Sequence, residues 1–90
     1  MSEVLTSLEV ASVNKQTRHE AGIKAFGEHL REVRLSKGFT QEQLAYTADL
    51  EFSQISRIER GIINTSISQV FLIAAALGVH PKLLFDFDIH

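Results

Sequence analysis

The chain has 90 residues, with 9 Lys and Arg against 11 Asp and Glu, a formal net charge of −2 and 44% hydrophobic residues. That length allows one small domain whose core is marginal without added support such as a partner subunit. The acidic balance argues against indiscriminate nucleic-acid binding, which rests on many Lys and Arg contacts to phosphate, but leaves room for one locally basic face. With 0 Cys there is no disulfide framework and no thiolate metal site, which suits a reducing compartment. The apolar run VFLIAAA at residues 70–76, which only Leu77 extends, is too short to span a bilayer. No basic region followed by an apolar block opens the chain, so a cytoplasmic location is the expectation.

Residues 1–22, MSEVLTSLEVASVNKQTRHEAG, read as an N-terminal arm. SEVLTSLEV is weakly amphipathic and the rest is polar and small, so the arm is either mobile or docks on a protein partner. The folded domain is expected over residues 23–90. In IKAFGEHLREVRLSKG, Phe26, Leu30 and Val33 recur at helical spacing and Gly38 provides a left-handed stop. Thr40 with Gln43 forms a capping box for the second helix, and Phe39 with Leu44 the hydrophobic staple around it. Leu44, Ala45 and Ala48 form its narrow inner face.

A third helix starts after Leu50, with Glu51 at the cap and Leu50 and Ile55 as staple, and ends at Gly61. The fourth starts at Ser66, with Gln69 completing a capping box, and is expected to bury Ile67, Val70, Ile73, Ala74 and Leu77 before Gly78. Pro81 opens a fifth short helix, PKLLF, with His80 as its cap. The chain therefore reads as a compact all-α domain of five short helices behind an arm.

The third helix, FSQISRIERG, is unusual on its outer side. At 3.6 residues per turn, Ile55 and Ile58 mark the buried face, while Ser53, Ser56, Arg57 and Arg60 point away and Phe52 and Gln54 flank them. That face lacks the Glu/Lys mixture of an indifferent solvated surface. Arg can fork onto guanine, Ser can donate or accept at base edges, and Phe52 can lie against a thymine methyl.

The order of elements carries a resemblance. L-R-x-x-R-x-x-K-G at residues 30–38, T-Q-x-x-L-A at 40–45, I-S-x-I-E-x-G at 55–61 and I-A-x-A-L-G-V at 73–79 resemble the helix-turn-helix domains of the phage Cro and repressor family, also called the XRE family. The resemblance spans residues 25–85. It implies a lambda-repressor-like fold whose third helix enters the major groove. By position it implies base reading by Phe52, Ser53 and Arg57, with Gln54 and Ser56 in lesser roles. It assigns phosphate contacts to Gln41, Arg60 and the loop carrying Ile62, Asn64 and Thr65, with Gln41 also bracing a reading side chain. It implies a buried structural ion pair between Arg34 and Glu59. Four positions depart from the family pattern: Asp49 stands for the turn glycine, Glu51 for the cap serine, Phe52 for a polar reader and Thr65 for a proline. The loop GIINTS is also poor in Lys and Arg.

The end of the chain is rich in apolar residues. Phe71, Leu72, Ala75 and Ala76 add to the core set of the fourth helix, and Leu83, Leu84, Phe85, Phe87 and Ile89 follow. One reading folds this tail back over the core. The other, preferred here, makes Leu83, Phe85, Phe87 and Ile89 a homodimer interface, with FDFDI alternating as a short strand. A dimer is also what the resemblance implies, since a two-fold protein reads an inverted repeat.

Neither a metal nor a cofactor is expected. His19, His29, His80 and His90 lack ligand spacing, and Asp86, Asp88 and His90 read as a solvated terminus. There is no nucleophile turn and no phosphate-cradling glycine loop, so an enzyme is not expected. The reading is a double-stranded DNA-binding transcription regulator, a dimeric repressor. The rival is a protein-binding adaptor or antitoxin on the same fold.

Overall fold

The structure, a computed structural model, describes residues 17–89. Most of the arm and His90 lie outside the described residues. Four α-helices follow in order: α1 (Glu20–Ser36), α2 (Gln41–Ala48), α3 (Phe52–Glu59) and α4 (Ile67–Leu77). A 3-10 helix, Pro81–Phe85, closes the domain, and no strand occurs among the described residues.

Local chemistry sets most of the boundaries. The first helix begins at Glu20, earlier than the Ile23 read from the sequence, because His19 acts as its cap: the Gly22 N–H donates to His19 Nδ1 at 2.9 Å. It ends where Gly38 turns left-handed at φ 79°, with the Phe39 N–H donating to the Arg34 carbonyl at 3.1 Å. Thr40 and Gln43 form the reciprocal capping box, at 3.0 and 2.9 Å. Asp49 stands in the left-handed region at φ 59° and turns the chain from α2 into α3.

At the start of α4, Ser66 caps through the Gln69 N–H at 3.1 Å. The return half of that box is missing, because the Gln69 side-chain Oε1 instead accepts from the Thr65 hydroxyl at 2.6 Å. His80 caps the last element through the Lys82 N–H at 3.1 Å. That element is a 3-10 helix and not the expected fifth α-helix. Its bonds run from Leu83 N to His80 O at 2.9 Å and from Asp86 N to Leu83 O at 3.3 Å, the tighter winding that short segments adopt.

Leu30, Leu44, Ile55, Ile58, Ile73 and Leu84 are the largest fully buried side chains, and they come from all five elements. Ile67 departs from its expected burial and is 66% exposed. It is the first residue of α4 and lies on the rim of a surface groove, past the edge of the core. The close approach of α1 to α3 depends on Gly27. A Cβ there would stand 2.2 Å from the Ile58 carbonyl oxygen and 2.8 Å from that of Glu59.

The tail folds back on α1. The Phe85 ring centroid lies 5.2 Å from that of Phe26, and the Phe87 ring meets Phe26 edge-on at 6.5 Å. His29 Nε2–H donates to the Leu83 carbonyl at 2.7 Å. FDFDI is therefore not a strand: the Phe87 N–H turns back to the Phe85 carbonyl at 3.0 Å, since aromatic packing on Phe26 requires a bent chain. No helix among the described residues is long and apolar enough to cross a membrane.

Candidate nucleic-acid interface

Helices α2 and α3, joined by the turn at Asp49, present one polar surface. On the inner side of α3, Ile55 is 0% and Ile58 1% exposed, and Glu59 is buried beside them. On the outer side Phe52, Ser53, Arg57 and Arg60 are exposed, while Gln54 and Ser56 are half-buried. The sequence-predicted readers thus share one face. Gln54 has a second task, because its amide oxygen accepts from the Glu51 N–H at 2.9 Å and holds the first turn of α3. Its amide N–H groups remain the part suited to an outside acceptor.

The orientation of α3 is held from behind by one carboxylate. Glu59 Oε2 accepts from Arg34 Nε at 2.6 Å and Oε1 accepts from Arg34 Nη2 at 3.0 Å. Arg34 Nη1 reaches the Phe39 carbonyl at 2.8 Å. Gln41 Nε2 donates to Glu59 Oε1 at 2.9 Å. Arg34 and Glu59 are 5% and 6% exposed, so neither charge is solvated, and fork geometry plus the two neutral partners satisfies the pair. Among the described residues no buried side-chain nitrogen or oxygen lacks a partner. Gln41 is half-buried and braces Glu59, not one of the outward side chains.

Of the residues assigned to phosphate, Arg60 is exposed, with Nε 3.3 Å from the Ser56 carbonyl. Ile62 and Asn64 are exposed, and Thr65 is half-buried with its hydroxyl engaged by Gln69. The loop is tied down by a residue that sequence reasoning placed in the arm. Arg18 Nη2 donates to the Ile62 carbonyl at 3.0 Å, and Arg18 Nε pairs with Glu20 at 2.8 Å. That hydrogen bond holds the Glu20 carboxyl below its ordinary value and raises Arg18. The R-x-E spacing at residues 18–20 was a visible sign of the pair, but nothing local pointed to Ile62. Gly27 was also missed, since a glycine inside a helix has no signature of what lies against it.

The residues assigned to a dimer interface fall into two groups. Leu83, Phe85 and Ile89 are 37%, 51% and 52% exposed, whereas Phe87 is half-buried against the core. Phe71 and Leu72 on α4 are also exposed, at 56% and 46%. Among the described residues no group of three His, Cys, Asp or Glu side chains is placed to hold a metal ion.

Comparison with known proteins matches this geometry. The helix-turn-helix family pattern covers residues 30–84. The chain is 49% identical over 63 residues to control protein C.BamHI of Bacillus amyloliquefaciens, a match covering 69% of this chain and 78% of that protein. It is similar to the crystal structure of the restriction-modification controller protein C.AhdI from Aeromonas hydrophila, with a TM-score of 0.69 and 40% identity over 70% of this chain and 96% of that one. The controller protein C.Esp1396I gives a TM-score of 0.66 at 36% identity, over 71% of this chain and 82% of that one. With the two helices, the turn at Asp49 and the outward polar face all inside the matched region, the chain belongs to the helix-turn-helix family of DNA-binding transcription regulators.

Proposed function

We propose that this chain is a dimeric regulator that lays α3 in the major groove of an inverted-repeat operator and controls transcription of restriction-modification genes. The observation that carries the reading is the division of α3 between two sides. Ile55, Ile58 and Glu59 secure it from behind, while Phe52, Ser53 and Arg57 stand exposed on the opposite side, with Glu51 at the cap as the nearest exposed acid in sequence. Arg57 forks onto guanine, Ser53 meets a base edge, and Phe52 lies against a thymine methyl. Gln54 and Ser56 contribute from the flanks. Arg60 and the loop of Ile62, Asn64 and Thr65 lie along phosphate, and Gln41 sets the pitch of α3 through Glu59.

Two copies join through the exposed apolar residues Leu83, Phe85 and Ile89 with Phe71 and Leu72, and Phe87 supports them from beneath. A two-fold pair of this kind reads half-sites about 34–36 Å apart. Control of restriction-modification genes is supported by the similarity to the restriction-modification controller proteins C.AhdI and C.Esp1396I. The protein acts by binding and not by catalysis, in the compartment that holds the DNA.

The test is selection of binding sites from a random duplex pool at physiological salt, with wild type and Arg57→Ala in parallel. Wild type should enrich an inverted repeat, and Arg57→Ala should relax one symmetric position in it. If a folded wild type enriches nothing, and a protein is captured stoichiometrically and indifferently to salt, the adaptor or antitoxin reading replaces this one.

A further inference from the structure

The loop of residues 61–65 joins α3 to α4 and carries no Lys or Arg. What it offers a phosphate is backbone. The Gly61 N–H donates to the Ile58 carbonyl at 3.0 Å and the Ile62 N–H to the Arg57 carbonyl at 2.9 Å, which closes the end of α3. The three N–H groups that follow, of Ile63, Asn64 and Thr65, make no hydrogen bond within the described residues. Backbone N–H groups are regular partners of DNA phosphate oxygens.

Such donors serve a ligand only while the loop keeps its shape, and the start of α1 holds it at two points. Gly61, at φ 72°, packs on Lys24: a Cβ there would stand 3.1 Å from the Lys24 Cα. At the next residue, Arg18 Nη2 donates to the Ile62 carbonyl at 3.0 Å. Arg18 is not a loose cation. Its Nε donates to Glu20 Oε2 at 2.8 Å, and Nη2, which carries two hydrogens, also meets Glu20 Oε1 at 3.3 Å. The fork fixes the guanidinium plane and matches its charge. The pair therefore brings the loop a fixed donor and no net charge.

We propose that Arg18 is a positioning residue for DNA affinity. By fixing the Ile62 carbonyl it keeps the N–H groups of Ile63, Asn64 and Thr65 in the arrangement that one backbone phosphate meets. The segment before α1 thus sets how tightly the loop grips DNA without touching the DNA itself. This inference rests on the reading that the loop lies along phosphate.

The test uses the full-length protein and the operator that wild type enriches. The double variant Arg18→Ala, Glu20→Gln removes the pair without changing net charge. It should bind that operator about tenfold more weakly, the scale of one or two net hydrogen bonds, with sequence preference and salt slope unchanged. Neutral methylphosphonates placed one at a time along the operator give a readout that lost stability would not move. At one phosphate in each half-site wild type should lose about tenfold and the folded variant almost nothing, because its contact is already gone. In the free variant the amide resonances of Ile63, Asn64 and Thr65 should move while those of Leu44 and Ile73 stay. Binding within about twofold of wild type, losses that add at every phosphate, or unmoved loop resonances each overturn the proposal while the operator reading stands. A salt slope reduced by about 1 also overturns it, by giving Arg18 a phosphate contact of its own. A folded wild type that enriches no operator overturns the DNA reading, and this inference with it.

Discussion

Gln41 and Glu59 meet at 2.9 Å, the amide of one helix's first residue donating to the carboxylate at another helix's end. The oxygen that accepts from Gln41 also accepts from Arg34 Nη2 at 3.0 Å. One buried carboxylate thus ties α1, α2 and α3 together, and the tilt of the outward polar face follows from that junction. Because these groups are withdrawn from water, removing one of them costs more than the pair itself contributes.

Glu59→Ala should lower stability by about 3–5 kcal/mol, since it leaves the Arg34 guanidinium buried without its counter-charge. Urea denaturation measures this. The double variant Arg34→Met, Glu59→Leu, which removes both charges and keeps the volume, should lose less than Glu59→Ala alone. A double variant as damaging as the sum of its single changes would show that the ion pair is not the source of the cost.

Gly27→Ala should destabilise the fold despite alanine's better helix propensity, worth about 1 kcal/mol. The new methyl would press on the Ile58 and Glu59 carbonyl oxygens, which are backbone and can yield only if α3 shifts. A net loss of about 1–3 kcal/mol is expected, the usual cost of overpacking. Gly22→Ala is the milder contrast, because the nearest atom there, His19 Nδ1 at 2.9 Å, belongs to a side chain that can rotate away at the cost of one exposed cap bond, and no backbone has to move. Thermal melts of the two variants should separate clearly, with Gly27→Ala the lower. Equal melting temperatures would refute the close approach of α1 to α3.

On a selected operator, Arg57→Ala and Arg60→Ala should fail in different ways. Losing a base-reading fork costs about 1–3 kcal/mol and relaxes preference at one position in each half-site. Loss of a phosphate contact weakens all sequences alike and reduces the salt slope by about 1. Fluorescence anisotropy across a salt series distinguishes them. If Arg60→Ala alters sequence preference and Arg57→Ala does not, the two roles are reversed.

Asp49→Gly should stabilise the protein. Asp49 holds φ 59°, a left-handed conformation that costs an L-residue with a Cβ roughly 1–2 kcal/mol and glycine very little. Glycine's greater freedom in the unfolded chain offsets part of that gain. A net gain of about 1 kcal/mol corresponds to roughly 4–8 °C in Tm for a domain of this size. A lower Tm would mean that the Asp49 side chain contributes contacts outweighing the backbone strain.

What could be read from the residues alone was mostly punctuation. Thr40 with Gln43, Ser66, Gly38, Gly61 and Gly78 each mark an end or a start through bonds and torsions within a few neighbouring positions. Such signals are written locally, so they survive without knowledge of the fold. The same holds for the buried positions Leu30, Ile55, Ile58 and Ile73, which follow helical period, and for the polar outer face of α3. His19 shows the limit, since histidine is an uncommon cap and the start of α1 was read too late.

The rest was decided by residues far apart in the chain. Ile67 has the helical spacing of a core residue, yet it stays exposed because α4 begins beyond the edge of the core. The tail alternates like a strand, yet Phe26 on α1 draws Phe85 and Phe87 into a bend. Gly27 is an unremarkable helix residue until the carbonyls of Ile58 and Glu59 lie against it. Arg18 reaches the Ile62 carbonyl, and Gln41 is committed to Glu59. The sequence by itself determined where most of the helices begin and end and which face of α3 is polar, because both follow from short-range bonding and period. Tertiary structure alone decided how α3 is held and which apolar residues remain uncovered, because those depend on contacts that exist only once distant helices have packed.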